Sequence, residues 1–223
     1  KEGPAMVLVH GFGGNADHWR RNIPELSKYG RVYAIDLLGY GYSSQPDPRD
    51  FEEHGIYNFD TWADQLADFM EQVVGGPAFC VTNSIGGIAG LQVAINRPDL
   101  VPGVCIVTIS LRGLHVRKQQ WFARPFVSAL QKVLRETQVG QQFFGSVAQP
   151  RTVKNILTQA YGDPKQVTDE LVDVILSPGL RPGAASVFLN FISYSQGPLP
   201  EDQMEEVKVP VRMLWGEEDP WED

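Results

Sequence analysis

The sequence has little of what marks a disulfide-stabilised, nucleic-acid-binding or membrane-spanning protein. Only two of its 223 residues are cysteine, Cys80 and Cys105; both lie in apolar segments, so we expect buried thiols and no disulfide framework. The 19 Lys and Arg are outnumbered by 27 Asp and Glu, and the net charge of −8 argues against a nucleic-acid partner, because such binding depends on clustered cations. No apolar run approaches the roughly 18 residues of a transmembrane helix.

Histidine is also scarce, with four residues that show no spacing typical of metal ligands: His10, His18, His54 and His115. We therefore expect no metal site, and no cofactor is expected either. The remaining composition, 43% hydrophobic and 21% charged, is that of a globular protein.

Short apolar segments alternate with helix-like segments in the first half of the chain. Because these segments are apolar at consecutive positions, they predict parallel strands covered on both faces. The five predicted strands are residues 5–9, 32–36, 78–82, 104–110 and 209–215. Between the second and third, a helix is predicted to start at Asp60 as its N-cap and to stop at Gly75. The alternation predicts an α/β fold with a doubly wound, mostly parallel sheet.

The alternation stops between residues 111 and 200, where helix-like segments recur and no strand is predicted. These segments are residues 121–134, 150–161, 169–176 and 184–194. We expect three parts: a core of residues 1–110, a helical cap of residues 111–200 inserted before the last strand, and the rest of the core in residues 201–223.

A serine stands where the third predicted strand joins a helix rich in small residues. The segment V-T-N-S-I-G-G has the context of a nucleophile elbow, a tight turn that presents Ser84 at a helix N-terminus. The amide of Ile85 would then face a developing oxyanion. Thr82 departs from the small residue usual at its position, and an incidental Ser in a Gly-rich turn is the simpler alternative.

A glycine-rich loop, H-G-F-G-G, follows the first predicted strand and supports two interpretations. Its backbone amide at Phe12 can be the second oxyanion donor, with His10 and Gly11 beside the substrate. The same loop matches a dinucleotide fingerprint from Gly11 to Ala16, and Asp36 lies where a ribose-binding acid would be expected. That alternative is an NAD-binding Rossmann protein.

An acidic turn after the last predicted strand carries Asp219 between a Gly turn and Pro220. A carboxylate at the same sheet edge as Ser84 can orient a catalytic imidazole. A solvated acidic turn is the plainer interpretation. Ser43 lies in a second G-x-S sequence, but no helix pattern follows it, so we interpret it as part of a structural loop.

Together these segments resemble the α/β-hydrolase superfamily nearly from end to end. The matching segments are V-L-V-H-G-F-G-G, H-W-R-R-N-I-P-E-L, V-Y-A-I-D-L-L-G-Y-G-Y-S, the Ser84 elbow and L-W-G-E-E-D-P. The second and third segments, with the helix W-A-D-Q-L-A-D-F-M-E-Q-V-V, most resemble the plant, algal and cyanobacterial branch that includes pheophytinase and chlorophyll dephytylase. Epoxide hydrolases and haloalkane dehalogenases carry Asp at the nucleophile position, where this chain has Ser84.

The resemblance implies that Ser84 is the nucleophile, Asp219 the acid, and the amides of Phe12 and Ile85 the oxyanion hole. It places the catalytic histidine after one further strand, beyond Asp223. With Lys1 opening close to a strand, we expect a piece of a longer protein, nearly inactive by itself. A chloroplast location is implied by the resemblance alone.

The expected partner is a small hydrophobic ester, such as the phytyl ester of a chlorophyll derivative. Aromatic residues of the cap favour a bulky apolar substrate, and Trp121, Phe122 and Phe126 are the candidates for binding it. An alternative is a ligand receptor or pseudoenzyme of the same fold, suggested by Thr82 and by the missing histidine.

Overall fold

A parallel five-stranded sheet forms the centre of the protein in the computed structural model, which describes residues 3–221. The strands are β1 (Ala5–Val9), β2 (Arg31–Ile35), β3 (Ala78–Ser84), β4 (Val104–Ile109) and β5 (Val211–Leu214). All five predicted strands are present, and the doubly wound α/β class is confirmed. Their bounds differ most at β3, which runs on to Ser84, and at β5, which is three residues shorter than expected.

The strand order is β2-β1-β3-β4-β5, and every pairing is parallel. The carboxyl ends of all five strands therefore lie at one edge of the sheet. Ser84, the last residue of β3, lies at that edge, and the loops after β1 and β5, which carry Phe12 and Asp219, leave from it. Ligands of open α/β sheets bind outside the carboxyl ends of the strands.

The helix before β3 starts two residues earlier than expected. Helix α2 (Phe59–Phe69) is capped by Asn58, whose Oδ1 accepts from the Thr61 N–H at 2.9 Å. The assignment of Asp60 as N-cap was wrong, because Asp60 already lies in the first helical turn. After α2 a π-helical turn continues to Val74, and Gly75 ends it in the left-handed conformation, with φ of 80°. α1 (Ile23–Leu26) is a single turn.

Helix α3 (Ile85–Asn96) starts directly at the end of β3 and packs against α2, β3 and β4. Most of its residues are buried, including Ile88 and Leu91. Its three glycines allow close contact with the sheet, and this contact fixes the position of its first turn under the end of β1.

The described chain between β4 and β5 contains only helices. They are α4 (Arg124–Glu136), α5 (Gln138–Val147), α6 (Pro150–Ala160), α7 (Asp169–Gly179), α8 (Ala184–Ile192) and α9 (Pro200–Glu206). The four expected helices occur with shifted ends, while α5 and α9 were not expected. α9 packs on α3, where Gln203 donates to the Ile88 carbonyl at 3.1 Å.

In the described part of the chain, none of the helices has both the length and the apolar character needed to cross a bilayer.

Candidate active site

Ser84 has a strained backbone at the junction of β3 and α3. Its φ of 54° and ψ of −122° lie outside the regions that residues with a side chain normally occupy. Such a conformation costs on the order of 1–3 kcal/mol and persists where surrounding packing enforces it, often at functional sites. Directly beside it, β4 has a bulge at Thr108, whose φ is 43°, so that Ser84 pairs with Ile109. The tight strand-to-helix turn expected at Ser84 is therefore present in the structure.

Close backbone contacts between the end of β1 and the elbow enforce this turn. A Cβ placed on Gly11 would lie 2.9 Å from the Ser84 Cβ, and one on Gly86 would lie 2.5 Å from the His10 carbonyl oxygen. Any side chain at either glycine would push the two loops apart. The loop that carries Phe12 is thus packed directly against Ser84.

Thr82 is accommodated by a glycine on the neighbouring helix. The Thr82 side chain is fully buried, and its Cγ2 would lie only 2.7 Å from a Cβ on Gly90. Its hydroxyl points to the Cys105 carbonyl at 3.4 Å. The methyl group thus occupies space that Gly90 leaves open, and the elbow forms without a small residue at position 82.

The loop after β1, which is expected to supply an oxyanion donor, is held in place by His10. His10 is fully buried; its Nε2 accepts from the Leu37 N–H at 3.1 Å, so Nδ1 carries the proton and donates to the Gly11 carbonyl at 2.7 Å. Burial lowers the pKa of His10 to about 4, so the ring is neutral near pH 7. His10 therefore positions Gly11 and Phe12 and does not present its ring to a substrate, contrary to its expected role in binding.

The second expected donor, the N–H of Ile85, opens α3. The first N–H groups of a helix have no acceptor within it, and the helix dipole adds partial positive charge there. The two N–H groups and the Ser84 side chain are thus contributed by the loop after β1 and by the adjacent junction of β3 with α3.

Asp219 lies at the same sheet edge, in the turn that follows β5. Its N–H donates to the Gly216 carbonyl at 3.2 Å, and its Oδ1 accepts from the Trp221 N–H at 2.9 Å. The side chain is half-buried, unlike its exposed neighbours Glu217 and Glu218. β5 is two strands from β3, about 10 Å in the plane of the sheet, a gap that an imidazole and its hydrogen bonds can bridge.

The other three histidines take part in contacts away from this turn. His18 Nε2 is 3.1 Å from the Tyr161 hydroxyl, and His54 Nδ1 is 3.4 Å from Asn190 Oδ1. His115 contacts the Gly197 carbonyl through Nε2 and accepts from the Arg117 N–H through Nδ1. Burial lowers the pKa of all three rings.

Two aromatic residues of the helical insertion, Phe188 and Phe191, cover Phe12. The Phe188 and Phe191 rings of α8 lie 5.2 Å and 5.6 Å from the Phe12 ring, between centroids. The aromatic content of the insertion predicts such residues but not which of them contact Phe12, because the contacting residues are about 180 positions apart in the chain. Trp121, Phe122 and Phe126, the expected binding residues, are 79%, 56% and 78% exposed, and the structure shows no ring contact between them and Phe12.

Asn83, the residue before the nucleophile, also has a positioning role that was missed. Its Nδ2 donates to the Val107 carbonyl at the end of β4 at 2.9 Å. A cavity of about 330 Å³ adjoins it. The lining includes His18, Trp19, Asn83, Val107, Tyr161 and Leu171.

The dinucleotide interpretation fails at Asp36. Its Oδ1 accepts from the Ala16 N–H at 2.6 Å and its Oδ2 from the Tyr42 N–H at 2.7 Å. Both carboxylate oxygens thus accept hydrogen bonds from backbone N–H groups of neighbouring loops and are not directed at a ribose. Ser43 Oγ donates to the Asp36 carbonyl at 2.6 Å. Within residues 3–221, no group of three or more His, Cys, Asp or Glu side chains is arranged to hold a metal ion.

This arrangement, a serine on a strained strand-to-helix turn beside a glycine-rich amide loop, defines a class of hydrolase. A family model described as alpha/beta hydrolase fold matches residues 4–222. The chain belongs to that family.

Individual relatives agree with this assignment. The chain is 27% identical to "Pheophytinase, chloroplastic" of Arabidopsis thaliana over 99% of its own length and 52% of the relative's. It is 28% identical to a pimeloyl-[acyl-carrier protein] methyl ester esterase of Aliivibrio salmonicida, over 96% of the chain and 74% of the esterase. The chain thus spans about half the length of the pheophytinase.

Solved structures support the fold. A putative acyltransferase from Salmonella enterica superimposes with a TM-score of 0.75 at 20% identity, covering 96% of this chain and 72% of the other. An alpha/beta hydrolase fold protein from Burkholderia ambifaria gives a TM-score of 0.71 at 23% identity, with 99% and 75% covered.

Proposed function

We propose that the protein is a serine hydrolase of carboxylic esters, with Ser84 as nucleophile. The observation that carries this proposal is the strained backbone of Ser84, packed directly against the loop of Gly11 and Phe12. Backbone strain of this kind persists only where packing enforces it, and it clusters at functional sites. The esterase and hydrolase relatives also favour this chemistry.

In this mechanism the Ser84 hydroxyl attacks the ester carbonyl and transfers its proton to an imidazole. The amides of Phe12 and Ile85 stabilise the oxyanion, the protonated imidazole passes the proton to the leaving alcohol, and water then releases the acid. Asp219 orients the imidazole and stabilises its cation. Because the ring atoms of the histidines at positions 10, 18, 54 and 115 bind other groups, we infer that this imidazole comes from outside residues 3–221.

The substrate we propose is a bulky apolar ester, with a phytyl ester of a chlorophyll derivative as the leading candidate. Phe188 and Phe191 place apolar surface directly over Phe12, where the substrate would enter. The relative named chloroplastic pheophytinase favours this class and a chloroplast location. The proposed division into a core and a cap, with boundaries at residues 110 and 200, is supported by the run of helices between β4 and β5.

Replacing the nucleophile tests the proposal. In the complete protein, Ser84→Ala should lower ester turnover by a factor on the order of 10⁴ to 10⁶, because the covalent step is lost. Turnover is measured with p-nitrophenyl esters of increasing acyl length. The matched control is Ser43→Ala, the serine of the other G-x-S sequence, which should retain turnover.

Two results would refute the assignment: undiminished turnover by Ser84→Ala, or equal losses in the two variants. Ligand binding by a complete protein that never turns over any ester would support the receptor alternative. Residues 1–223 alone should be nearly inactive, because the imidazole is missing.

A further inference from the structure

Helix α4 exposes an apolar face to solvent. Phe126, Leu130 and Val133 are spaced by four and three residues, so they share one side of the helix, and they are 78%, 59% and 42% exposed. Val127 and Leu134, on the adjoining flank of the same face, are half-buried. The apolar stripe of a surface helix normally faces the core; here it faces outward.

Two further exposed aromatic residues directly precede this face in the chain. Trp121 and Phe122, in the loop just before α4, contact each other edge to face with ring centroids 6.0 Å apart. We call Trp121, Phe122, Phe126, Leu130 and Val133 the outer patch. Such a set of exposed aromatic and aliphatic side chains marks an interaction surface.

The chain segment that carries the outer patch is rich in positive charge, although the protein carries a net charge of −8. Residues 112–135 contain six Lys and Arg and no Asp or Glu. Several of these cations pair with acids elsewhere in the chain, as Lys118 does with Glu201 and Arg135 with Glu53. Arg124 and Lys132, both exposed on α4, have no ion pair among the residues that the structure describes.

We propose that the outer patch docks the protein onto the surface of a lipid bilayer that contains anionic lipids. Trp and Phe side chains favour the membrane interface, and flanking Lys and Arg are attracted to anionic headgroups. α4 has 13 residues, about 20 Å, so it would lie in the plane of the interface. A symmetric contact with a second copy is disfavoured, because it would bring Arg124 and Lys132 towards their own counterparts.

The docked orientation would bring the carboxyl edge of the sheet towards the membrane. α4 packs on α8, and α8 carries the two rings that cover Phe12. An apolar ester dissolved in the bilayer would then lie on the side of the molecule that carries the half-buried Ser84. The docking itself does not depend on the chemistry proposed for Ser84.

Vesicle flotation of the complete protein tests this inference. The protein should float with phosphatidylcholine vesicles that contain phosphatidylglycerol and bind phosphatidylcholine alone more weakly. The double variant Trp121→Ser with Phe126→Ser should lower the partition coefficient at least about tenfold. Arg124→Gln and Lys132→Gln should each lower it about fivefold, on the anionic vesicles only.

The matched control is Tyr29→Ser. Tyr29 is 76% exposed but lies just before β2, at the amino edge of the sheet, so its loss should leave flotation unchanged. Circular dichroism and the melting temperature should be unaltered in every variant, because the replaced side chains are exposed. Ser84→Ala should float like the original protein, which separates a failure of docking from a failure of hydrolysis.

Absence of flotation by the complete protein would overturn the inference, as would flotation that the double variant does not reduce. Equal binding to both kinds of vesicle would remove the role of anionic lipid. A dimer in sedimentation velocity that the double variant dissociates, with no vesicle binding, would assign the patch to a second copy instead.

Discussion

Thr82 and Gly90 form a complementary pair beneath the elbow, since the threonine methyl group fills the space that the glycine leaves. Gly90→Ala should destabilise the protein by about 1–3 kcal/mol through overpacking. Thr82→Ala removes the obstructing methyl group, so in the double variant the added cost of Gly90→Ala should largely vanish. Urea denaturation of the four proteins measures the coupling. Strictly additive effects would show that the two side chains do not compete for this space.

His10 makes stability depend on pH. Its pKa is about 4 in the folded protein and near 6.5 when unfolded, so between these values the unfolded chain binds more protons. Stability should therefore be intact above pH 6.5 and fall as the pH drops towards 4, by up to about 3 kcal/mol from this residue.

Urea midpoints from pH 7 to pH 4 for the original protein and for His10→Gln check this prediction. The other histidines act in the same direction, so the difference between the two proteins isolates His10. Parallel pH profiles would contradict the predicted role of His10.

At the scale of single residues, the sequence predicted those residue roles that are set by neighbouring residues in the chain. Ser84, Ile85 and Phe12 belong to local strand–turn motifs, and the geometry of the turn follows from the glycines around them. The role of His10 could not be predicted, because it depends on the Leu37 N–H, which only the pairing of β1 with β2 brings close.

Among the helices and strands, the buried strands were predictable. Both faces of the sheet are covered, so the strands are apolar at consecutive positions. Helix α5 was missed since its sequence carries two glycines, which normally disfavour helix. Gly140 is needed because a side chain there would collide with the Leu134 carbonyl at the end of α4. That collision arises from the packing of two helices and leaves no periodic pattern in the sequence.

For the whole molecule, Arg112 joins the two ends of the insertion to the core. It lies just after β4, and its guanidinium donates to the Pro198 carbonyl at 2.7 Å and the Tyr194 carbonyl at 3.1 Å. The same group lies 4.9 Å from the centre of the Phe59 ring in α2. Burial lowers the pKa of Arg112 to about 10, so the group stays charged at neutral pH.

Arg112→Lys should loosen the insertion, because an ammonium group cannot reproduce the planar pair of donors and the stacking. We expect a loss of about 1–3 kcal/mol in the free energy of unfolding. Hydrogen exchange should accelerate first in α8 and in the segment up to α9. Arg117→Lys, at an exposed ion pair with Asp202, is the matched control and should change little. Equal effects of the two substitutions would mean that Arg112 does not hold the insertion.

The insertion leaves the sheet after β4 and returns to it at β5, and these two strands are hydrogen-bonded neighbours. Its ends are therefore held close together by the sheet whatever lies between them. Doubling the length of such a connection costs only about 0.6 kcal/mol in closure entropy. The helices over the sheet can consequently be lengthened, shortened or replaced in evolution while the strands next to positions 12, 84 and 219 keep their register. Substrate preference can therefore change while the sheet stays the same.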